Sequence, residues 1–250
     1  MEAISLNANG LRAALKKGLD AWLDAENPDL VFLQEVKWND AEALCAALPG
    51  WQVTADLALK PGYSGVAILS RTALQPLPAA ELPALPPALR GEGRYVAVCR
   101  EGVTWLNLYL PSGSQGPARQ TLKMEALEGL AAWLDCQRSP VVLGGDWNLA
   151  PAAADIHDPK RLDGQPGFTP EERDWFRAQS ERGWHDAFRL HHPNEAEVYS
   201  WWSMRSAARE RNKGWRIDHW VTNEPSRVLD ASYDALARFS DHAPARLRWS

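Results

Sequence analysis

The sequence predicts an α/β fold, and three patterns carry that expectation. Strand, helix and strand signals follow one another near the N-terminus. Strand pairs then alternate with helices through the middle of the chain. Finally, a helix with Leu122, Ala126, Leu130 and Trp133 on one face leads directly into the apolar run 141–143. At 250 residues and 45% apolar content the chain can bury a sizeable core, in one large domain or two small ones. Residues 75–87 are rich in Pro and Ala and could form a linker, but strand patterns continue on both sides. They read as a surface loop, and a single domain over 1–250 is expected.

Taken in order, Ile4 and Leu6 alternate with Ala3 and Ser5 in a strand that ends in the polar turn 7–10. Leu11, Leu15, Leu19 and Trp22, with Leu23 beside them, predict one helix, stopped by Pro28 and Asp29. Residues 30–33 form a second buried strand ending at Gln34 and Glu35, and a strand–helix–strand unit makes its two strands parallel. A short helix over 41–48 precedes a strand pair, 51–55 and 65–70, joined by a turn at 60–62. Residues 95–100 and 103–110 form a hairpin turning at Glu101-Gly102, with Val103, Trp105, Asn107 and Tyr109 sharing one face. Residues 141–143 read as a strand that breaks at the pair Gly144-Gly145. Thr169-Pro170-Glu171-Glu172 opens a helix running to about residue 181. The strand 217–221 carries Asp218, and the last strand, 243–249, is preceded by Ser240-Asp241-His242.

Composition narrows the classes. A net charge of −5 argues against a simple nucleic-acid binder but admits a local basic strip or an acidic site charged by a metal. Cys45, Cys99 and Cys136 are widely spaced and odd in number, which suits a reducing compartment and neither a disulfide framework nor a zinc site. The sequence shows no basic, apolar leader and no apolar run long enough to span a bilayer, so a cytoplasmic protein without a membrane partner is expected.

Polar residues stand at one strand end after another: Asn7, Glu35, Tyr109, Asp146 with Asn148, Asp218, and Asp241 with His242. Asp146 and Asn148 are two apart, so an extended chain would deliver both to one spot. Taken alone, that segment is better read as a strand closing in a Gly-Asp turn with Asn148 bonding locally. Several such ends converging make a site the better reading. Asp218 is a candidate to orient His242, by the acid–imidazole logic of catalytic triads. Trp201, Trp202 and Trp215 bracket Arg205, Arg209, Arg211, Lys213 and Arg216. They can be read as a strand-binding loop, with cations for phosphates and rings for sugars or bases, or equally as a solvated loop over packed rings. The inventory suits metal-assisted attack of water on a phosphodiester. A Gly-rich phosphate loop, a Cys/His zinc spacing and a Gly-x-Ser-x-Gly elbow are absent.

The segments Leu6–Ala13, Leu33–Lys37, Leu108–Pro111, Gly145–Pro151, Gly214–Asp218 and Ser240–Pro244, in this order and spread over the whole chain, resemble the exonuclease III family of DNA-repair nucleases. That resemblance implies a four-layer α/β sandwich, two mixed sheets packed face to face with helices outside. It implies a metal-dependent hydrolase acting as a monomer on double-stranded DNA at abasic sites or 3′ ends, as exonuclease, endonuclease or 3′-phosphatase, with Mg2+ or Mn2+. Residue by residue, Glu35 would bind the metal with Asp241 and Asn9 nearby. Asp146 would polarise the attacking water, with Asn7 and Asn148 fixing its surroundings. His242, oriented by Asp218, would meet the scissile phosphate, as would Tyr109. Trp201, Trp215 and Ile217 match positions that line the sugar pocket. Three residues depart from the family pattern: Ser112, where many relatives carry Asn or Gln, His219, where relatives often carry Tyr or Leu, and His157, which is either a surface His on a loop, the favoured reading, or close enough to reach the DNA near the site. Each is a candidate to shift substrate preference. Two alternatives are a non-catalytic nucleic-acid-binding regulator of the same fold and a phosphatase acting on lipids or small molecules. The presence of all the acids, and the basic-aromatic loop, favour the DNA enzyme.

Overall fold

The computed structural model describes residues 1–250. Its strands are β1 (Glu2–Asn7), β2 (Leu30–Gln34), β3 (Gln52–Asp56), β4 (Val66–Ser70), β5 (Gln75–Pro76), β6 (Tyr95–Arg100), β7 (Val103–Tyr109), β8 (Val141–Asp146), β9 (His185–Asp186), β10 (Trp201–Trp202), β11 (Gly214–Trp215), β12 (Asp218–Thr222), β13 (Val228–Tyr233) and β14 (Ala245–Trp249). The α-helices are α1 (Leu11–Lys16), α2 (Leu19–Glu26), α3 (Ala41–Ala46), α4 (Pro117–Cys136), α5 (Pro170–Glu181) and α6 (Ala187–His191). None is long and apolar enough to cross a membrane.

Two six-stranded sheets form, in the orders β13-β14-β1-β2-β4-β3 and β5-β6-β7-β8-β12-β9, while β10 and β11 pair separately. Both are mixed: β1–β2 and β7–β8 are parallel, and their other pairs antiparallel. Apolar residues on both faces of the central strands need partners on both sides. They obtain them in three apolar layers. One cluster lies between the sheets and joins Phe32 and Ile68 of the first to Trp105, Val142 and Trp220 of the second. A second packs Leu106, Leu108 and Leu143 under Leu127, Leu130 and Leu134 of α4. A third packs Leu6, Val31 and Leu33 under Leu11, Leu19, Leu23 and Leu44 of α1 to α3. The result is the expected four-layer sandwich, helix–sheet–sheet–helix.

Two local expectations need correction. The single helix expected over residues 11–23 is two, because Gly18 takes a left-handed φ of 89° and restarts the chain as the N-cap of α2. The strand expected to break at Gly144-Gly145 runs through to Asp146. The glycines are there for close approach: a Cβ on Gly144 would lie 2.2 Å from the Trp220 ring, and one on Gly145 2.0 Å from the Leu108 carbonyl oxygen. The stretch after Gln75 is the surface loop expected, and it lays Leu77, Leu82 and Leu85 against the α4 layer.

The core between the sheets is not wholly apolar. Gln34 Nε2 donates to Asn107 Oδ1 at 2.7 Å and to Ser5 Oγ at 3.0 Å. Asn107 Nδ2 in turn donates to the carbonyls of Leu33 and Ala67 at 3.0 and 2.8 Å. This amide pair, fully buried, fastens β7 of one sheet to β2 and β4 of the other just behind the polar strand ends. Replacing Asn107 by Leu should cost about 2–4 kcal/mol in urea denaturation, since Gln34 is left with an unmet donor in a dry core. A loss under about 1 kcal/mol would mean that the bridge contributes little to sheet packing.

Candidate active site

Strand direction alone gathers the polar ends. Parallel β1 and β2 end at Asn7 and Gln34, and parallel β7 and β8 end at Tyr109 and Asp146. Antiparallel β12 starts opposite Asp146 at Asp218, and antiparallel β14 is entered just after His242. Ends of parallel strands and beginnings of antiparallel ones thus meet at one edge of the sandwich.

Asn7 is the junction. It is fully buried, and its Nδ2 donates both to Glu35 Oε1 at 3.0 Å and to Asp146 Oδ2 at 2.8 Å. Asn148 reaches Asp146 by a route other than the strand pleat: it lies past the end of β8 with a left-handed φ of 51°. There its backbone N–H donates to Asp146 Oδ1 at 2.8 Å and its Nδ2 to Asp146 Oδ2 at 3.2 Å. The local turn bond and the site are the same structure. Tyr109 donates to Glu35 Oε1 at 2.9 Å. His242 Nδ1 bonds Asp218 Oδ2 at 2.9 Å, and donor atoms of Asp146, Asp218 and His242 lie within 4.8 Å of one another. Asp241 accepts from Asn9 Nδ2 and Trp201 Nε1, each at 3.0 Å.

Electrostatics divides these groups into opposite roles. Burial, reinforced by the Asp218 carboxylate, pushes Asp146 up to about 7. Burial acts to discharge His242, but the charge and hydrogen bond of Asp218 outweigh it and raise the imidazole to about 10, so it is an imidazolium at neutral pH. Burial also opposes ionisation of Glu35, yet the hydrogen bond from Asn7 and the charge of Lys37 hold its carboxyl below the usual range. Burial, with the Glu35 and Asp146 charges, keeps the Tyr109 hydroxyl protonated. A carboxylate poised to take a proton therefore faces a fixed cation.

These groups open into a cleft of about 570 Å³ that also carries Trp201, Trp215 and Ile217 on its wall. Lys37, Tyr63, Ser112 and Gly167 line it too; apart from Ser112, these were not singled out from sequence. Lys37 was legible only as part of the Glu35 motif, and Tyr63 and Gly167 sit in turns with no chemical signature. The basic loop divides. Arg205, Arg211 and Lys213 are exposed. Arg209 stacks on Trp202 and donates to the carbonyls of Ser240, Ala235 and Ala237, tying two loops together. Arg216 is fully buried and pairs with Asp155 and Asp186, each at 2.7 Å, so it cannot meet a phosphate. His157, half-buried, lies with Nδ1 3.3 Å from the Gly214 carbonyl and is absent from the cleft wall. His219 is fully buried behind Asp218, and burial with the Arg216 charge brings it down to about 4. It is a neutral ring bonding Arg216 and the Leu149 carbonyl, without access to a substrate.

The donor chemistry suits a hard divalent cation. Glu35 Oε2 and Asn9 Oδ1 converge on one point, where Lys37 Nζ lies 2.9 and 2.6 Å away, and Asp241 is joined to Asn9. Oxygen atoms of this kind that already enclose a cation are ligands for Mg2+, Mn2+ or Ca2+ rather than for soft metals. The grouping of Asp146, Asp218 and His242 is a poorer seat, because its imidazole is already charged and bonded to Asp218.

Comparison with known proteins fits this geometry. Residues 4–242 match the model of the endonuclease/exonuclease/phosphatase family. The chain is similar to an exodeoxyribonuclease of Bacillus subtilis (strain 168), 36% identical over 99% of this chain and 98% of that one. It is also similar to the DNA repair nuclease APEX1 of Danio rerio, 35% identical over 99% of this chain and 81% of that one. Among solved structures it superimposes on a 3′ phosphatase, NExo, from Neisseria bound to a product DNA hairpin, with a TM-score of 0.86 and 30% identity, covering 100% and 99% of the two chains.

Beneath the cleft, fully buried Lys123 pairs with Glu172 and donates to the Asn148 carbonyl at 2.6 Å. Glu172 Oε2 accepts the backbone N–H groups of Gly167 and Thr169 at 2.8 and 2.9 Å. The pair thus braces both Asn148 and the cleft loop. Lys123→Met should destabilise the protein by about 3–5 kcal/mol by stranding a buried carboxylate, and adding Glu172→Gln should restore much of the loss. Additive losses in chemical denaturation would show that the two charges are not coupled.

Proposed function

The chain belongs to the endonuclease/exonuclease/phosphatase family, and we propose that it is a divalent-metal-dependent DNA-repair nuclease that hydrolyses DNA at abasic sites and processes 3′ ends, with Mg2+ as its metal. The observation that carries this reading is the opposition, across one cleft, of Asp146 near neutrality and the His242 imidazolium. A regulator that only binds nucleic acid would have no use for two oppositely tuned, buried ionisable groups. The exodeoxyribonuclease and DNA repair nuclease relatives, matched over nearly the whole chain, point to the enzyme and away from the non-catalytic alternative.

In this reading a bound divalent cation, held by Glu35 and Asn9 with Asp241 behind them, supplies Lewis-acid stabilisation of the phosphoryl oxygens. Asp146 accepts the proton of the attacking water, and Asn7 and Asn148 fix which of its lone pairs faces that water. His242, held by Asp218, presents positive charge to the phosphoryl oxygens as negative charge grows there. The protonated Tyr109 hydroxyl offers a hydrogen bond to the phosphate or leaving oxygen. Trp201, Trp215 and Ile217, on the cleft wall, would accept the sugar of an abasic nucleotide. Arg205, Arg211 and Lys213 meet phosphates outside the cleft.

The test is a cleavage assay on three duplexes carrying an internal abasic site, a 3′-phosphate and a recessed 3′ end, with excess chelator and with Mg2+ restored. Chelation should abolish all cleavage, and Asp146→Asn and His242→Ala should each lower turnover by about two orders of magnitude or more. Full activity in chelator overturns the metal reading.

The pH profile has a definite sign. Asp146 works deprotonated, so turnover should rise as pH passes its value of about 7. His242 works protonated, so turnover should fall as pH passes about 10. A profile flat through neutrality removes Asp146 from the role of base. Neutralising Arg205, Arg211 and Lys213 together should reduce the salt slope of DNA binding by up to about 3, near one per phosphate contact. An unchanged slope makes that loop a solvated surface.

A further inference from the structure

The point where the metal oxygens converge is occupied by a side chain of the protein itself. We propose that Lys37 is an exchangeable counter-cation: its ammonium holds the ligand oxygens until a divalent ion displaces it, and then turns to a DNA phosphate in the cleft. The inference rests on the reading of Glu35, Asn9 and Asp241 as the metal-binding group.

The count of free oxygens is the first argument. Glu35 Oε1 already accepts from Asn7 and Tyr109, at 3.0 and 2.9 Å. Asp241 Oδ1 accepts from Asn9 and Ser240, and its Oδ2 from Trp201. The oxygens of this group that no other donor bonds are Glu35 Oε2 and Asn9 Oδ1, the two that Lys37 bridges at 2.9 and 2.6 Å. A Mg2+ or Mn2+ ion seated on those oxygens at about 2.0–2.2 Å would lie almost on the ammonium, and two cations cannot share that point. Binding of the ion and the inward position of Lys37 exclude each other.

The backbone is fixed while the side chain is free. Glu35 and Lys37 both hold left-handed conformations, with φ of 49° and 53°. The Val36 and Lys37 N–H groups are locked to the carbonyls of Gly65 and Ser64. The segment cannot shift to make room, so displacement falls to the Lys37 stem. Its side chain is 30% exposed. Lys37 also lines the cleft shared by Asp146, Tyr109 and His242. An ammonium that swings off Glu35 therefore faces the space a phosphate would enter. Metal and DNA would then strengthen each other's binding, because the metal releases a cation that DNA can use, and such coupling is reciprocal.

The test uses Mn2+ as the probe, with binding read from the electron paramagnetic resonance of the free ion. It is run first without DNA and then with a phosphorothioate-linked duplex that resists cleavage. Lys37→Met keeps the stem and removes the charge, and Lys37→Gln serves if the first variant does not fold. Without DNA the charge-free variant should bind Mn2+ about fivefold more tightly than wild type, as loss of one partly exposed ion pair implies. Lys37→Arg should stay near wild type. The duplex should tighten Mn2+ binding more in wild type than in Lys37→Met. Equal or weaker Mn2+ binding by a folded Lys37→Met protein overturns the inference, since a lysine that merely steadies Glu35 would give that result. Absence of Mn2+ binding in wild type overturns the inference and the metal reading together.

Discussion

The side-chain amide of Asn7 is the point on which the site depends. It touches a carboxylate from each sheet, Glu35 beyond β2 and Asp146 at the end of β8. Its two N–H groups serve two anions that would otherwise repel across a dry gap, and its oxygen accepts the Asn9 N–H at 2.9 Å. An amide suits this place because it offers two donors without a charge of its own. A lysine there would neutralise Asp146 and depress its proton affinity, whereas an aliphatic residue would leave both carboxylates unmet. Behind it, Gln34 and Asn107 repeat the device one layer deeper. The two sheets are thus registered to each other by polar contacts, and the apolar core supplies the bulk of the adhesion without fixing the fine alignment.

The chain leaves regular structure at each functional strand end, and a buried ionic group stands behind several of those departures. Lys123 and Glu172 brace Asn148 and the loop at Gly167. Arg216, held by Asp155 and Asp186, backs the strand that presents Ile217 and Asp218. Arg94, with Glu92, sits 4.4 Å from the Tyr109 ring and donates to the Tyr109 carbonyl. Buried ion pairs contribute little net stability over apolar replacements, but they are directional and costly to break. They suit places where a few polar atoms must be held at fixed distances. This explains why Arg216, which sequence alone offers to DNA, is turned inward.

Much of the architecture was legible because periodicity reports burial. Central strands apolar on both faces and the apolar stripe of α4 are consequences of lying between layers. Residues at the strand ends were legible by chemistry, since Asn7, Glu35, Asp146, Asp218 and His242 are polar where a strand pattern stops. Less was visible where the backbone conformation decides. Gly18 split an otherwise continuous helical pattern. Gly144 and Gly145 read as a break but serve close packing inside a strand. Asn148 reached Asp146 through a left-handed turn rather than through the pleat. The short β9 and α6 carry too few residues for a period to emerge.

By itself the sequence determined which residues are apolar, where strands stop and which acids, amides and imidazoles stand at those stops, because these are properties of single residues and of their spacing. Only the tertiary structure decided which of them meet and in what state. Proton affinity and accessibility depend on packing and on neighbours far along the chain: Asp146 is raised by burial and by Asp218, His242 is charged by the same carboxylate, and His219, next to Asp218 in sequence, is neutral and sealed. Arg205 and Arg216 look alike in a basic loop, but one is in water and the other is closed in by two aspartates. The electric field at each group is set by packing across the two sheets, and that packing is not a local property of the chain.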